Sequence, residues 1–425
     1  MNEEFLIYLW KNQLIDKNLL SVGGESITII HPGEININSG PDFFNARIKI
    51  GDTVWAGNIE IHIHSSDWFA HQHQSDPAYD NIILHVVHQN DLIISRKNGE
   101  KIPEIELKNK YNENILKTYR SFIESKNWIP CQDLIEAVPY FHLISFFDKL
   151  MIERLESKAK LIHDELNRTH QDFQEVFYRK LLQNFGFKVN DAGFELLSKS
   201  LTLKILGKHS NHLNQLEALL FGQAGMLSEN FKDQYPNSLK SEYQFLTGKY
   251  DLKPINPKLW KFMRLRPANF PTIRIAQFAQ LIKKTSGQLT KILEAEKLSD
   301  VINLFNINTS RYWETHYRFD KFVETRNKKI GKTSIDLLLI NTLIPFIFVY
   351  GQHKNDTKMQ DRALLWLDQI KSENNNIIRK FKEIGIRPQN ALQSQALLEL
   401  KTNYCNKIRC LECRVGHFLL KTKQI

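Results

Sequence analysis

The sequence predicts two structural classes in series: an α+β module with a mixed sheet over residues 1–140, then a large all-helical region over 141–425. Three observations carry this. Before residue 110, apolar residues alternate in short runs rich in Ile, Val and Phe. From about residue 141 they recur with helical period. No long low-complexity linker divides the chain, so the two parts are expected to pack together.

Each element follows in order. Residues 3–14 (EEFLIYLWKNQL) read as a short amphipathic helix. Strand-like runs cover Ser26–Ile30, Phe43–Ile50, Val54–His64, Ile82–His88, Leu92–Ser95 and Ile105–Leu107. Gly51-Asp52 suits a hairpin turn between the second and third of these. Residues 112–126 read as a helix. Beyond them, Ile144, Phe147, Met151 and Leu155 form one apolar stripe, and Phe173, Val176, Phe177 and Leu181 another. Gly186, Gly207, Pro254, Pro257, Pro267, Pro271 and Pro388 fall at expected breaks.

The 42% hydrophobic and 24% charged composition is that of a soluble globular protein. The N-terminal Met1-Asn2-Glu3-Glu4 lacks the basic region of a secretory signal. The longest apolar stretch, Ile335–Tyr350, is interrupted by Asp336, Asn341, Thr342 and Pro345, so it reads as a buried helix rather than a membrane span. A cytoplasmic protein with no membrane partner is expected. The net charge of +10 divides unevenly: residues 1–110 carry −6 and the remainder +16. Seven of the fifteen histidines lie in the acidic part. A metal site joined to a polyanion-binding surface fits this asymmetry, with nucleic acid as the expected partner. A lysine-rich solvated surface accounts for the same charge.

The chemistry concentrates in Pro41-Asp42 and Gly57-Asn58-Ile59-Glu60-Ile61-His62. Alternation puts Glu60, His62 and His64 on one side of their strand and Ile59, Ile61 and Ile63 on the other. Asp42 begins the preceding strand. If the two strands pair through Gly51-Asp52, Asp42 and Glu60 can come within bridging distance of one divalent ion, especially with a bulge. Carboxylate and carbonyl oxygens suit Mg²⁺ or Mn²⁺.

These residues resemble the PD-(D/E)XK nuclease superfamily, which places Pro-Asp at a strand start and Glu-x-Lys on the next strand. The helix–strand–hairpin–strand order of residues 1–95 resembles the same restriction-endonuclease-like core. The resemblance implies that Asp42 and Glu60 hold the metal with the Ile61 carbonyl, and that His62 orients or deprotonates the attacking water. His62 stands where that family has lysine, which puts turnover in question more than metal binding. The segments INSGPDFFNARI, GNIEIHIHSSDW, YDNIILHVV, RPANFPTIRIAQ and the terminal CLEC-x-VGH also resemble an uncharacterised bacterial family known only as a domain of unknown function.

His62, His64, His71 and His73 together could make a transition-metal site, with Asp67 in the intervening Ser-Ser-Asp. His85 and His88 read more simply as hydrogen-bonding residues. In the helical region, Arg264, Arg266 and Arg274 surround Pro267-Ala268-Asn269-Phe270-Pro271. Arginines on such a loop can grip phosphate, and Phe270 can stack on a base. A structural corner explains the loop equally well. At the C-terminus, Cys405, Cys410 and Cys413 have the bite of a metal site, completed by His417 or by Cys131. Zinc suits this set. Some nucleases of the resembled superfamily clamp an iron–sulfur cluster in a comparable way.

Three functions follow: a metal-dependent nuclease-like phosphodiesterase, a non-catalytic nucleic-acid-binding or scaffold protein, and a His-rich metal enzyme acting on a small molecule.

Overall fold

The computed structural model describes residues 1–288 and 291–422. An α+β part with a mixed sheet comes first, and a large helical region follows. The chain forms two compact units: residues 1–146, 383–385 and 399–425 make one, and residues 147–382 and 386–398 the other. The sequence reading assigned the C-terminal cysteine segment to the helical region. It packs instead within the first unit.

The first unit starts with α1 (Glu3–Lys11), capped by the Asn2 side chain, which accepts from the Phe5 amide. Acidic residues in its first turn and Lys11 in its last complement the helix dipole. The helix stops three residues short of the expected end, where Gln13 turns to φ 52°. Its face of Phe5, Leu6, Leu9 and Trp10 is fully buried, and the helix packs against the sheet.

The sheet has seven strands: β1 (Leu19–Leu20), β2 (Ser26–His31), β3 (Glu34–Ile35), β4 (Phe43–Ile50), β5 (Thr53–His64), β6 (Ile82–Gln89) and β7 (Glu104–Glu106). Their order is β1-β2-β4-β5-β6-β7, with β3 also paired to β4. The pairs up to β4–β5 are antiparallel, while β5–β6 and β6–β7 are parallel. The crossover between β5 and β6 carries α2 (Asp67–Ala70) and two short 3₁₀ turns. The short runs β1 and β3 were not expected. The run Leu92–Ser95 forms no strand, and only Ser95 makes an isolated bridge, to Lys101.

The β4–β5 hairpin turns at Gly51-Asp52 as expected, with Ile50 opposite Thr53. Its register then shifts by one residue between Ala46, opposite Gly57, and Phe43, opposite Ile59. Asn45 takes φ 56° at this bulge. Gly57 is the point of closest approach to β6. A Cβ there would lie 2.5 Å from the Ile83 side chain and 2.6 Å from the Asn81 carbonyl oxygen.

After the sheet come α3 (Glu113–Ile123), capped by Asn112, and the long α4 (Tyr140–Arg168), which runs out of the first unit. Among its described residues the second unit is helical apart from a small hairpin of His316–Arg318 with Lys321–Phe322 and an isolated bridge between Lys371 and Asn390. Lys332–Lys354 is a continuous helix of 23 residues, long and apolar enough by length and composition to cross a membrane. It contains the buried helix expected over Ile335–Tyr350. The helix is nonetheless a core element, with 72% of its apolar window buried inside the protein. A π turn over Leu339–Leu343 precedes Pro345 and accommodates it. Lys158 donates to Asn341, and Asn184 donates to Thr342.

Candidate metal centre

The bulge at Asn45 sets the geometry of the site. Had the register of Ala46 with Gly57 continued, Asp42 would stand opposite Ile61, on the core face. The one-residue shift sets Asp42 opposite Glu60 instead. The two then hook onto each other's strand. The Asp42 amide donates to Glu60 Oε2 at 3.1 Å, and the Ile61 amide donates to Asp42 Oδ2 at 3.0 Å.

The polar row continues across the parallel strands. Glu60 pairs in register with His85, and His85 with Glu104. Glu60, His62, His85 and Glu104 are all buried. His85 Nδ1 lies 2.7 Å from Glu104 Oε2, and His85 Nε2 lies 2.8 Å from His62 Nδ1. Ser65 donates to the other Glu104 oxygen at 2.6 Å, and Asn90 also donates to Glu104. A carboxylate can only accept, so His85 carries its proton on Nδ1 and accepts at Nε2. His62 must then donate from Nδ1. Its Nε2 is left with a lone pair aimed into the cluster. Burial, then the neighbouring His85, His73 and His71, push the His62 pKa down to about 2, so the ring is neutral.

Two more imidazoles meet that lone pair. Gln72 adopts φ 61°, ψ 27° just after α2. This left-handed turn folds the segment so that both His71 and His73 reach His62. Ligand atoms of His62, His71 and His73 all lie within 4.8 Å of one another. His62 Nε2 is 3.1 Å from His71 Nδ1 and 3.5 Å from Glu60 Oε1. His73 Nε2 is 3.3 Å from the same Glu60 oxygen. It is also buried without a hydrogen bond, because that approach lacks hydrogen-bond geometry. Donor atoms sharing one tetrahedral ion at 2.0–2.1 Å are spaced about 3.3 Å apart. Three imidazoles and one carboxylate therefore fit a transition-metal ion. This donor set suits Zn, Fe or Mn better than Mg, which prefers oxygen donors throughout.

Aromatic rings wall the cluster. Tyr79 stacks on His73 with centroids 3.8 Å apart, and the buried Trp68 meets His73 and His85 edge-on. His71 is exposed and marks the open side. Burial and the Glu60 carboxylate lift the Asp42 pKa to about 7. Glu3 of α1 also faces this site. Burial raises its pKa most, and its charge interacts with His71, Asp67, Glu60 and His73.

The structure thus unites Asp42, Glu60, the Ile61 backbone, His62, His71 and His73. It adds Glu3, His85 and Glu104, for which the sequence carried no motif. His64 and Asp67 stand aside: Asp67 accepts from the His64 amide at 2.9 Å, and His64 is exposed. In the second unit, Arg264 and Arg266 are exposed. Phe270 packs on Phe262 and lies under Arg318. Arg274, expected to contact substrate, is buried. It donates to Gln277, Asn269 and Ser334 and stacks on Phe187, so it holds a structural corner.

His417 Nδ1 lies 2.9 Å from the Tyr8 hydroxyl. Cys131 and Cys405, by contrast, feel the charge of the other cysteines.

No curated protein matches this chain, and no solved structure does. A family model matches residues 3–376, which include the whole histidine cluster and stop short of Cys405. The chain belongs to the family described as protein of unknown function (DUF2851).

Proposed function

We propose that this protein is a metal-dependent phosphodiesterase, nuclease-like in its site, whose metal is held by His62, His71, His73 and Glu60. One observation carries the reading. Asp42 and Glu60 face each other across a bulged hairpin, on the same sheet face as the imidazole cluster. The element order supports it too: a helix bearing Glu3, a hairpin bearing Asp42 and Glu60, then a crossover to a parallel strand.

A bound divalent ion would neutralise phosphoryl charge and lower the pKa of a water. The chain's own groups divide the remaining work. Asp42, hooked to Glu60 and the Ile61 amide beside the cluster, is placed to take up a proton there. His62 is neutral, with its lone pair locked towards the cluster. It therefore acts as a ligand and does not replace the cationic lysine of the resembled superfamily. Glu104 and His85 hold it in that tautomer. The +16 charge of residues 111–425, with exposed Arg264 and Arg266, supplies attraction for a polyanion.

The three imidazoles favour a second reading, a transition-metal enzyme acting on a small molecule. One experiment separates these readings and the non-catalytic one. Metal-loaded protein is incubated with single- and double-stranded DNA and RNA in Mn²⁺, Zn²⁺ or Mg²⁺, beside Asp42→Asn and Glu60→Gln. Cleavage that falls by about a hundredfold or more in both variants supports the nuclease. Absence of cleavage by the loaded wild type sinks it. Steeply salt-dependent binding without cleavage then indicates a binding protein, and neither property indicates a small-molecule substrate.

A further inference from the structure

All four cysteines of the chain gather in the first unit, although Cys131 lies far from the others in sequence. Cys131, Cys410 and Cys413 are buried, and all four carry thiols rather than disulfides. We propose that Cys131, Cys405, Cys410 and Cys413 form a second metal centre, a four-thiolate site for a thiophilic metal, which ties the C-terminal segment to residues 128–137. It is independent of the histidine centre and of its chemistry.

The backbone is built to present these sulfurs. Cys131 begins the 3₁₀ turn Gln132–Ala137. The loop before it is clamped by Lys401, whose ammonium donates to the Trp128 carbonyl at 2.6 Å and sits 5.0 Å from the Trp128 ring. Cys405 lies one helical turn beyond Lys401, where a π turn over Leu400–Tyr404 passes into a 3₁₀ turn. Ile408 then takes φ 54°. For a β-branched residue this is a strained conformation, held where the chain must reverse between Cys405 and Cys410. Cys410 and Cys413 straddle the turn into the C-terminal helix Arg414–Thr422. Gly416 lets that turn close, since a Cβ there would lie 2.1 Å from the Cys410 carbonyl oxygen.

The electrostatics agree with the placement. Burial raises the Cys131, Cys405 and Cys410 thiols, Cys410 to about 12. Charge on Cys413 raises each of them further, and Cys410 and Cys131 also act on Cys405. Thiolates that feel one another's charge repel, and a bound cation removes that repulsion. Packing alone would scatter buried cysteines through both units as small apolar residues. Here two separate segments bring them into one unit, and the charge of Lys401 acts on Cys405 to favour its thiolate.

The test uses the full chain, purified without chelator and under anaerobic conditions. Elemental analysis and the visible spectrum are recorded for the wild type, Cys131→Ser, Cys413→Ser and His62→Ala. The expected result is about one equivalent of zinc, or iron with acid-labile sulfide and a visible absorption band, that His62→Ala keeps and both cysteine variants lack, over and above any metal held by the histidine centre. The two outcomes identify the metal, and both support the site. Should a cysteine variant fail to fold, wild-type thiol reactivity under native conditions gives the answer. The thiols should resist a disulfide reagent until a strong chelator is added, then react together. A wild type that neither retains nor takes up a stoichiometric thiophilic metal, or thiols equally reactive with and without chelator, would overturn the proposal.

Discussion

His85 Nδ1 lies 2.7 Å from Glu104 Oε2, and through this pair a residue on β7 determines which nitrogen of His62 carries a proton. The chain Glu104–His85–His62 is buried throughout. Glu104→Ala should weaken Mn²⁺ or Zn²⁺ binding roughly 10- to 100-fold, the usual cost of losing an outer-shell partner. Glu104→Gln, which keeps a carbonyl acceptor for His85, should cost less. Metal titration by calorimetry, with thermal melts alongside, checks this. Wild-type affinity in Glu104→Ala would remove the relay from the account.

The bulge at Asn45 makes a sharper prediction. Asn45 supplies the extra residue of the bulge, so deleting it should leave a regular ladder with Phe43 opposite Ile59 and Asp42 still opposite Glu60, and metal binding should survive. Point changes at this exposed residue should act only through its backbone. Asn45→Gly should be near neutral, whereas Asn45→Val should destabilise the protein by about 1–2 kcal/mol at φ 56°. Urea denaturation measures the second effect. A folded deletion mutant that no longer binds metal would show that the pairing of Asp42 with Glu60 is not what controls the site.

Much of this hairpin was legible in the sequence. The alternation of Ile59, Glu60, Ile61 and His62 fixes which side chains share a face, and β4 runs from Phe43 to Ile50 as expected. Register was not legible, because Asn45 leaves no pattern that separates a bulge from an ordinary strand residue. His85 and Glu104 sit in apolar runs with no motif, and only the parallel pairing of β6 with β5 and β7 brings them to His62. The Arg274 loop reads as a binding loop on residue types alone. Its burial depends on Phe187, Asn269 and Ser334, which no local signal connects.

Asp42 ties stability to pH. Its carboxyl titrates near 7 in the folded protein, against an ordinary value of 3.8, so the folded state holds a proton that the unfolded state releases. For the metal-free protein, this contribution is fully present below pH 3.8 and is lost as pH rises through 7. Asp42→Asn should therefore gain stability relative to wild type between pH 5 and pH 8 while losing metal binding. Denaturation in chelator at the two pH values tests the sign. A stability difference between the two proteins that does not change with pH would contradict it.

The second unit holds a separate example. Glu217 is buried, accepts from Tyr235 and Ser310 at 2.8 Å each, and titrates near 7, chiefly through burial and despite a favourable charge from Lys283. The sign matches that of Asp42: stability is lost as pH rises from 4.5 to about 7. Complete loss would cost roughly 3 kcal/mol. Glu217→Gln should flatten this part of the pH profile without touching the metal centre. Tm measured from pH 5 to pH 8 checks it, and an unchanged profile would mean that Glu217 ionises freely.

Glu3 gives the most direct test of whether α1 belongs to the site. It is the first residue of the helix, near enough to interact with His71, Asp67, Glu60 and His73. The Asn2 cap and the buried Phe5, Leu6 and Leu9 hold the helix in place, so Glu3 is not needed for folding. Glu3→Gln should leave Tm within about 1 °C of wild type, as expected for a change away from the core. Metal affinity should fall by severalfold, because one of three carboxylates facing the cluster is gone. If affinity holds but cleavage falls, Glu3 acts on substrate or water rather than on the metal. If neither changes, its charge does not contribute to the centre, and α1 serves only to cover the sheet.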